Sequence, residues 1–502
     1  MGNASAISHG HDQQRGGAQS LRPIDQVLRC RGTAPQRDVV LVAPGGHALA
    51  IEPQLRSPLD PDRLHDTLSA LARKYQVPGA QLAIHHGGET VAVEVGELEY
   101  RTGHAVTRDA AFPIGSITKV FTATVAMILV ADGDLELDAP LGEHVAKLGD
   151  LGNELTLRQL LSHTSGLANA PGMDVHTSSI RRYVLDHCCR QNLVLPPGTG
   201  FSYSNIGYVL VGHLIETVTG MSWWEAMESI LLLPLGIEPM CTGAPDHRPL
   251  AMGHSVNTAV GRTRPVEQSL APAEAPAGGL VMSAADLVNL GLTQFNSALL
   301  PAAYAEQMRQ AVPMAEPPWG WADGWGLGLA VFGTGDTAWV GHFGACVGTS
   351  CEVRLDPVSG CIVAFTSNAK RGGMWYELIG ELRRAGLPIK DCSDTKVRGR
   401  PTVAPSGCAG RYQNGKAEWS ISVTETGALS LAIAGDVVAE FICFEDLSFF
   451  APAQPNIRGR FLRDPISGDI DGIQLGLYAV RRQSATSEDR KHLYGAVPVR
   501  AY

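Results

Sequence analysis

Residues 112–119 read Phe112-Pro113-Ile114-Gly115-Ser116-Ile117-Thr118-Lys119 and run straight into an uncharged apolar stretch from Val120 to Ala131. Ser116 and Lys119 are three residues apart, close to one helical turn, so their side chains face the same way. The stretch is apolar all round, which fits a helix buried inside a domain. It is too short to span a bilayer. Ser116 then lies at the mouth of that helix, beside free backbone N–H groups and the positive end of the dipole. A serine hydroxyl needs a neighbouring base to act as a nucleophile. A partly buried lysine can be that base, because desolvation lowers its pKa. The pair by itself also fits a capping serine and a snorkelling lysine, so the decision falls to the rest of the chain.

Working outward, Leu64 to Tyr75 has helical spacing, and Ala80–Ile84 and Thr90–Val95 read as strands joined at His85-His86-Gly87-Gly88. From about Leu135 to Met282 the pattern is mostly helical. Leu155–Leu161 is a short helix closed by His163-Thr164-Ser165-Gly166, and the rigid turn Pro196–Gly200 delivers Phe201–Asn205 into a helix over Ile206–Thr219. Ser283 caps a further helix. Trp325–Phe332, Trp339–His342, Thr349–Leu355 and Ile362–Asn368 read as consecutive antiparallel strands, and Met374–Ala385 as a closing helix. Strands at both ends with helices between them predict an α+β domain over residues 58–389. It is an antiparallel sheet flanked by helices, with an all-α insertion over about 136–276. Residues 1–57 are expected to form an arm with a hairpin at Asp38–Ile51, and 390–407 a polar linker. Period-two patterning at Trp419, Ile421 and Val423, at Leu429, Leu431 and Ile433, and at Ile473, Leu475 and Leu477 predicts a small antiparallel β-barrel over 408–484. Residues 485–502 are a tail. Asp464–Gly472 lacks the spacing of a calcium loop and is expected to be a hairpin turn.

The chain has 502 residues, a hydrophobic content of 44%, a formal net charge of −10 and a pI near 5.9. That balance argues against nucleic acid as a partner, and no charge run suggests a membrane surface. Ten scattered cysteines show neither C-x-x-C nor zinc spacing, which fits reduced thiols. Residues 1–25 contain no apolar core of signal-peptide length, so the cytoplasm is the expected location. No metal ligand and no cofactor is expected. The expected partner is a small-molecule or peptide substrate, and oligomeric state stays open.

Acylation of a serine also needs a second proton carrier and donors for the oxyanion. Tyr203-Ser204-Asn205 can supply the carrier: a phenol beside a lysine ammonium is expected to shift toward phenolate. Asn205 can hold Lys119 or a substrate carbonyl. His342-Phe343-Gly344 sits on an expected strand, where Gly344 lets a substrate backbone come close.

Ser116-x-x-Lys119, then Tyr203-x-Asn205, then His342-x-Gly344, in this order, resemble the serine β-lactamase and penicillin-binding-protein family. That family includes class C β-lactamases, DD-peptidases, family VIII esterases, D-aminopeptidases and penicillin-binding-protein-type thioesterases. Leu160–Leu167, Pro197-Gly198-Thr199 and Ala277-Gly278-Gly279-Leu280 agree with it, and the resemblance covers about Leu64 to Leu387. It implies that Ser116 is acylated and that Lys119 and Tyr203 share the proton transfers. Asn205 would orient Lys119 and the substrate, and the N–H groups of Ser116 and Ala345 would form the oxyanion hole. His342 would line the pocket and hydrogen-bond Tyr203 or the substrate, with Phe343 and Gly344 beside it. The chain departs from the β-lactamases at the third motif, where Lys-Thr-Gly is usual. An imidazole and a phenyl ring offer a drug carboxylate little grip. The resemblance also implies a lipocalin-like form for the C-terminal barrel, as in D-aminopeptidases and thioesterase-like peptide cyclases. The expected function is a serine hydrolase acting through an acyl-enzyme on an ester or a small peptide or amide, D-configured ones included. The alternative is an acyltransferase or peptide cyclase. A true β-lactamase or a non-catalytic binder fits the residues less well.

Overall fold

The computed structural model describes residues 59–483 except 170–178, 244–247, 296, 316, 393–398, 425–427, 434 and 465. The expected arm with its Asp38–Ile51 hairpin and the expected tail lie outside the described residues. Helix α1 (Pro61–Tyr75) is capped by Asp60, whose carboxylate accepts from the Asp62 and Arg63 N–H groups. Strands β1 (Gly79–His86) and β2 (Glu89–Gly96) form a hairpin turning on Gly87 and Gly88, both at positive φ. The short β3 (Phe112–Pro113) and a single 3-10 turn lead into α2 (Thr118–Asp132), buried from Thr118 to Leu129 as its apolar composition requires. The stretch Gly115–Asp132 is the one described segment long and apolar enough to cross a membrane, and 78% of it is buried within the protein.

Helices α3 (Leu157–Leu161), α4 (Ile180–His187), α5 (Asn205–Thr219) and α6 (Trp223–Ala226) build the insertion. It is not all-α: β4 (Gly253–Asn257) and β5 (Arg262–Val266) pair as a hairpin within it. The sequence Arg262-Thr263-Arg264-Pro265-Val266 is too polar to show alternation, so no strand was expected there. Helix α7 (Ala275–Gly278) follows, then β6 (Val281–Met282), which pairs with β3, and α8 (Ala284–Leu292) behind a Ser283–Asp286 capping box. Helix α9 (Ala302–Arg309) buries only Ala305 and Met308, too few positions for a helical period to stand out. The single strand expected over Trp325–Phe332 is two strands, β7 (Gly324–Trp325) and β8 (Ala330–Phe332). The chain doubles back between them at Gly328, φ +88°, where a side chain would strike Ala123 of α2. Strands β9 (Trp339–Gly344), β10 (Ser350–Leu355) and β11 (Ile362–Ser367) and helix α10 (Gly372–Arg384) complete the domain.

The sheet runs β2-β1-β11-β10-β9-β8-β7, antiparallel throughout. Side chains alternate between its faces. Ala83, Val353, Ile362 and Ala364 join the core shared with α2, α5 and α8. Leu82, Ile84, Val363 and Phe365 meet Leu64 and Leu68 of α1 and Leu378 and Leu382 of α10. The fold is thus the expected α+β sheet between helical layers.

After the short β12 (Pro401–Thr402) come β13 (Gly410–Asn414), β14 (Ala417–Val423), β15 (Leu429–Ile433) and β16 (Asp436–Phe444). Then come β17 (Ser448–Ala451), β18 (Gln454–Arg463), β19 (Ile470–Leu475) and β20 (Tyr478–Arg482). Strands β13 to β20 pair each with its sequence neighbour and close through β13–β20, an eight-stranded barrel. Tyr412, Ile421, Leu431, Phe441, Phe449, Phe461 and Ile473 fill its interior. Leu477, expected to alternate with these, instead lies in the β19–β20 turn and is buried in the catalytic-domain core. The Asp464 carboxylate accepts from the Ile466 and Ser467 N–H groups, which makes that segment the expected hairpin turn.

Candidate active site

Ser116 occupies the 3-10 turn before α2, and Lys119 the first turn of the helix itself. Lys119 is fully buried, with Nζ 3.1 Å from Ser116 Oγ and donating to the Ala277 carbonyl at 2.6 Å. Burial pulls its pKa down from the usual lysine range to about 7, against an opposing pull from Glu274 and then Cys346. The lysine ammonium also stands over the Tyr203 and Tyr208 rings, at 5.0 and 5.7 Å. The Ala277–Leu280 segment is stitched to the same turn: Leu280 N–H donates to Thr118 Oγ1, and Ile114 N–H to the Leu280 carbonyl.

Lys119 makes no hydrogen bond to Asn205 among the described residues. Its anchor is the Ala277 carbonyl, while the Asn205 side chain lines the cleft. Tyr203 is buried, and Ser116 is the group that most favours its anion, yet burial raises its pKa well above the ordinary tyrosine value. The expected drift toward phenolate is therefore reversed. Lys119, itself pulled down to about 7, is only part-protonated at neutral pH, and the desolvation of a buried phenolate outweighs its help.

His342 is fully buried and packs on Tyr203 and Trp325, ring centroids 6.3 and 5.4 Å away. Its Nδ1 bonds the Phe343 carbonyl at 2.6 Å, and its Nε2 has no partner among the described residues. It makes no hydrogen bond to Tyr203 among the described residues, which leaves the substrate as the expected partner of its Nε2. Burial, then the nearby Lys119, pulls its pKa to about 3, so it is neutral. Phe343 is half-buried and packs on the exposed Trp321 at 5.5 Å. Gly344 lets the backbone of β9 approach the Ser116 turn. A Cβ on Gly344 would lie 1.9 Å from the Ile114 carbonyl oxygen and 3.0 Å from the Ile117 nitrogen. This backbone contact brings Ala345 against Gly115, whose own missing Cβ would lie 2.9 Å from the Ala345 nitrogen. Ser116 and Ala345 both line the cleft.

Several neighbours were not singled out from sequence. His163, held at φ +58°, lies 4.1 Å from the Tyr203 ring centroid, and its Nδ1 accepts from the Ser204 N–H. Burial, then Lys119, keeps it neutral. It lies in the Leu160–Leu167 segment, a signal that carried no assigned role. The barrel reaches the site too: Tyr203 N–H donates to the Leu477 carbonyl at 2.9 Å. Asn414 of β13 accepts from the Asn169 N–H at 2.8 Å and donates to the Ala479 carbonyl at 2.7 Å. The Asn169 carbonyl in turn accepts from the Asn205 and Ile206 N–H groups at 2.8 and 3.2 Å. Arg458 and Arg460 of β18 donate to the Gly320 and Pro317 carbonyls, fastening the loop that bears Trp321.

The cleft holds about 310 Å³ and runs from Ser116 and Asn205 past Thr242, Gln268 and Glu274 to Cys346 and Val347. Cys346 is unpaired, and burial pushes its thiol up to about 11, so it is no competing thiolate.

Residues 64–382 match the Beta-lactamase family. Penicillin-binding protein 4 of Amycolatopsis lactamdurans is 32% identical over 380 residues, which cover 71% of this chain and 98% of that protein. The crystal structure of SurE with D-Leu is similar at a TM-score of 0.74 and 36% identity, covering 84% of this chain and 99% of that one. D-amino acid amidase from Ochrobactrum anthropi SV3, complexed with D-phenylalanine, is similar at a TM-score of 0.55 and 25% identity, covering 64% of this chain and 98% of that one.

Proposed function

The chain belongs to the beta-lactamase family, and from that premise we propose that it is a serine hydrolase whose acyl-enzyme forms on Ser116 from an ester or a small amide or peptide, D-configured residues included. The observation that carries this reading is a serine hydroxyl on the cleft wall, 3.1 Å from a buried amine whose pKa is near 7. Neutral Lys119 takes the Ser116 proton as Oγ attacks the carbonyl. The N–H groups of Ser116 and Ala345 receive the oxyanion. As the tetrahedral adduct collapses, the Lys119 ammonium returns its proton to the leaving group, with the Tyr203 hydroxyl as relay. Water then enters where the leaving group stood and is deprotonated by the same pair. Transfer to an amine would differ only in this second nucleophile.

Among the described residues Glu274 is the only charged side chain lining the cleft, and it offers a β-lactam carboxylate no cation to bind. D-Leu in the SurE structure supports the D-configured class; the D-amino acid amidase holds D-phenylalanine in one structure and L-phenylalanine in another. The test is turnover of p-nitrophenyl esters and D-amino-acid amides by the protein and by Ser116→Ala. Loss of at least about a thousandfold is expected on removing the nucleophile. Turnover surviving the substitution refutes the assignment. A thioester substrate offered with and without an amine separates hydrolysis from transfer.

A further inference from the structure

Among the described residues that line the cleft holding Ser116, only Glu274 carries a charge. Glu274 ends a 3-10 turn, Pro272–Glu274, three residues before the Ala277 carbonyl that anchors Lys119. Its Oε1 accepts from the Tyr183 hydroxyl at 2.9 Å, and Tyr183 is buried. No other hydrogen bond or ion pair to this carboxylate is formed among the described residues. It is half-buried, so part of its hydration is gone and a single neutral donor replaces it. Burial raises its pKa, and Lys119 opposes that through space without a hydrogen bond to it among the described residues, which leaves one carboxylate oxygen open to a charged donor from the cleft.

Its effect on the nucleophile sharpens the point. Glu274 raises the Lys119 pKa, which opposes the neutral amine that acylation needs. A residue that hinders the base at rest needs another reason to stand there. We propose that Glu274 is a subsite for a protonated primary amine, carried either by the acyl donor or by an acyl acceptor. The ammonium would donate to the carboxylate oxygen that Tyr183 leaves open, a charge-assisted hydrogen bond. It would also offset the field that Glu274 exerts on Lys119, so the amine that binds would help release the base.

This inference rests on the serine-acylation reading, and the test separates the two. Labelling of Ser116 by a fluorophosphonate is timed in the full-length protein against increasing D-leucine amide. N-acetyl-D-leucine amide and the isostere carrying a hydroxyl in place of the amine are the neutral controls. D-leucine amide should protect at concentrations at least about tenfold lower than either control, the size of a hydrogen bond to a charged group. Glu274→Gln should abolish that preference while Ser116 still labels. Equal protection by the three ligands, no protection by the amine, or a preference that survives Glu274→Gln overturns the subsite. The wild-type comparison alone decides the matter if the variant does not fold. Ser116 that never labels sinks the acylation reading and the subsite with it. Acyl-enzyme made from p-nitrophenyl acetate then identifies the source. Turnover that rises saturably with D-leucine amide marks an acceptor, and pure competition marks a donor.

Discussion

Replacing Asn414 by alanine tests whether the barrel holds the catalytic loop. Asn414 is buried, and its amide bridges the Asn169 N–H and the Ala479 carbonyl. Alanine takes this partner from a part-buried backbone donor and from a buried backbone acceptor. At roughly 1–3 kcal/mol each, the fold should lose about 2–6 kcal/mol. The consequence for chemistry runs through Asn169, whose carbonyl accepts from the N–H groups of Asn205 and Ile206 at the start of α5. If Asn169 shifts, Asn205 on the cleft wall and Tyr203 two residues earlier shift with it. A displacement near 1 Å can cost about a hundredfold in rate. Steady-state ester hydrolysis and thermal unfolding are the assays. We expect kcat to fall by about 10- to 100-fold with KM for a small ester within about twofold, because the cleft wall beyond Asn205 is untouched. Asn414→Asp separates positioning from stability. It keeps an acceptor for the Asn169 N–H but sets a carboxylate oxygen against the Ala479 carbonyl, so kcat should recover more than Tm does. An alanine variant that loses stability yet keeps its kcat would refute the relay.

Two other outcomes follow from the same geometry. Acylation should fall about tenfold per unit as pH drops below about 7 and level off above it, because only neutral Lys119 can take the Ser116 proton. The groups facing Lys119 are Ser116, Tyr203, Tyr208, Glu274, Cys346, His163 and His342. Only Glu274 carries charge there, so Glu274→Gln should move this limb to lower pH; burst kinetics with a p-nitrophenyl ester would show a flat profile if the lysine is not the base. Gly344→Ala should slow fluorophosphonate labelling at least about a hundredfold and lower Tm, since its Cβ meets the Ile114 and Ile117 backbones with no side chain able to swing away. A normal labelling rate in that variant would show that the Ser116 turn does not depend on β9.

Ser116 and Lys119 were legible because one helical turn joins them, and turn geometry is local. The order of sheet and helices was legible because apolar periodicity is local too; it failed at β5, where the strand is polar, and at α9, which buries two residues. The contacts missed inside the site share one cause. Lys119 is anchored by the Ala277 carbonyl, Tyr203 by the Leu477 carbonyl, and the Ser116 turn by the backbone approach that Gly344 permits. Any residue but proline offers the same backbone groups, so no letter announces them. The side chains of Asn205 and His342 were the visible candidates for such duties. The sign of the Tyr203 shift was missed for a related reason. A charged neighbour is visible from a motif, whereas the burial that outweighs it is assembled from His163, Trp325 and the barrel turn, segments far apart in the chain. Reacting groups can thus be named from sequence, but their protonation states belong to the closed fold. In this protein that closure includes the barrel, because Tyr203 owes part of its burial and one of its backbone bonds to the turn that carries Leu477 and Tyr478.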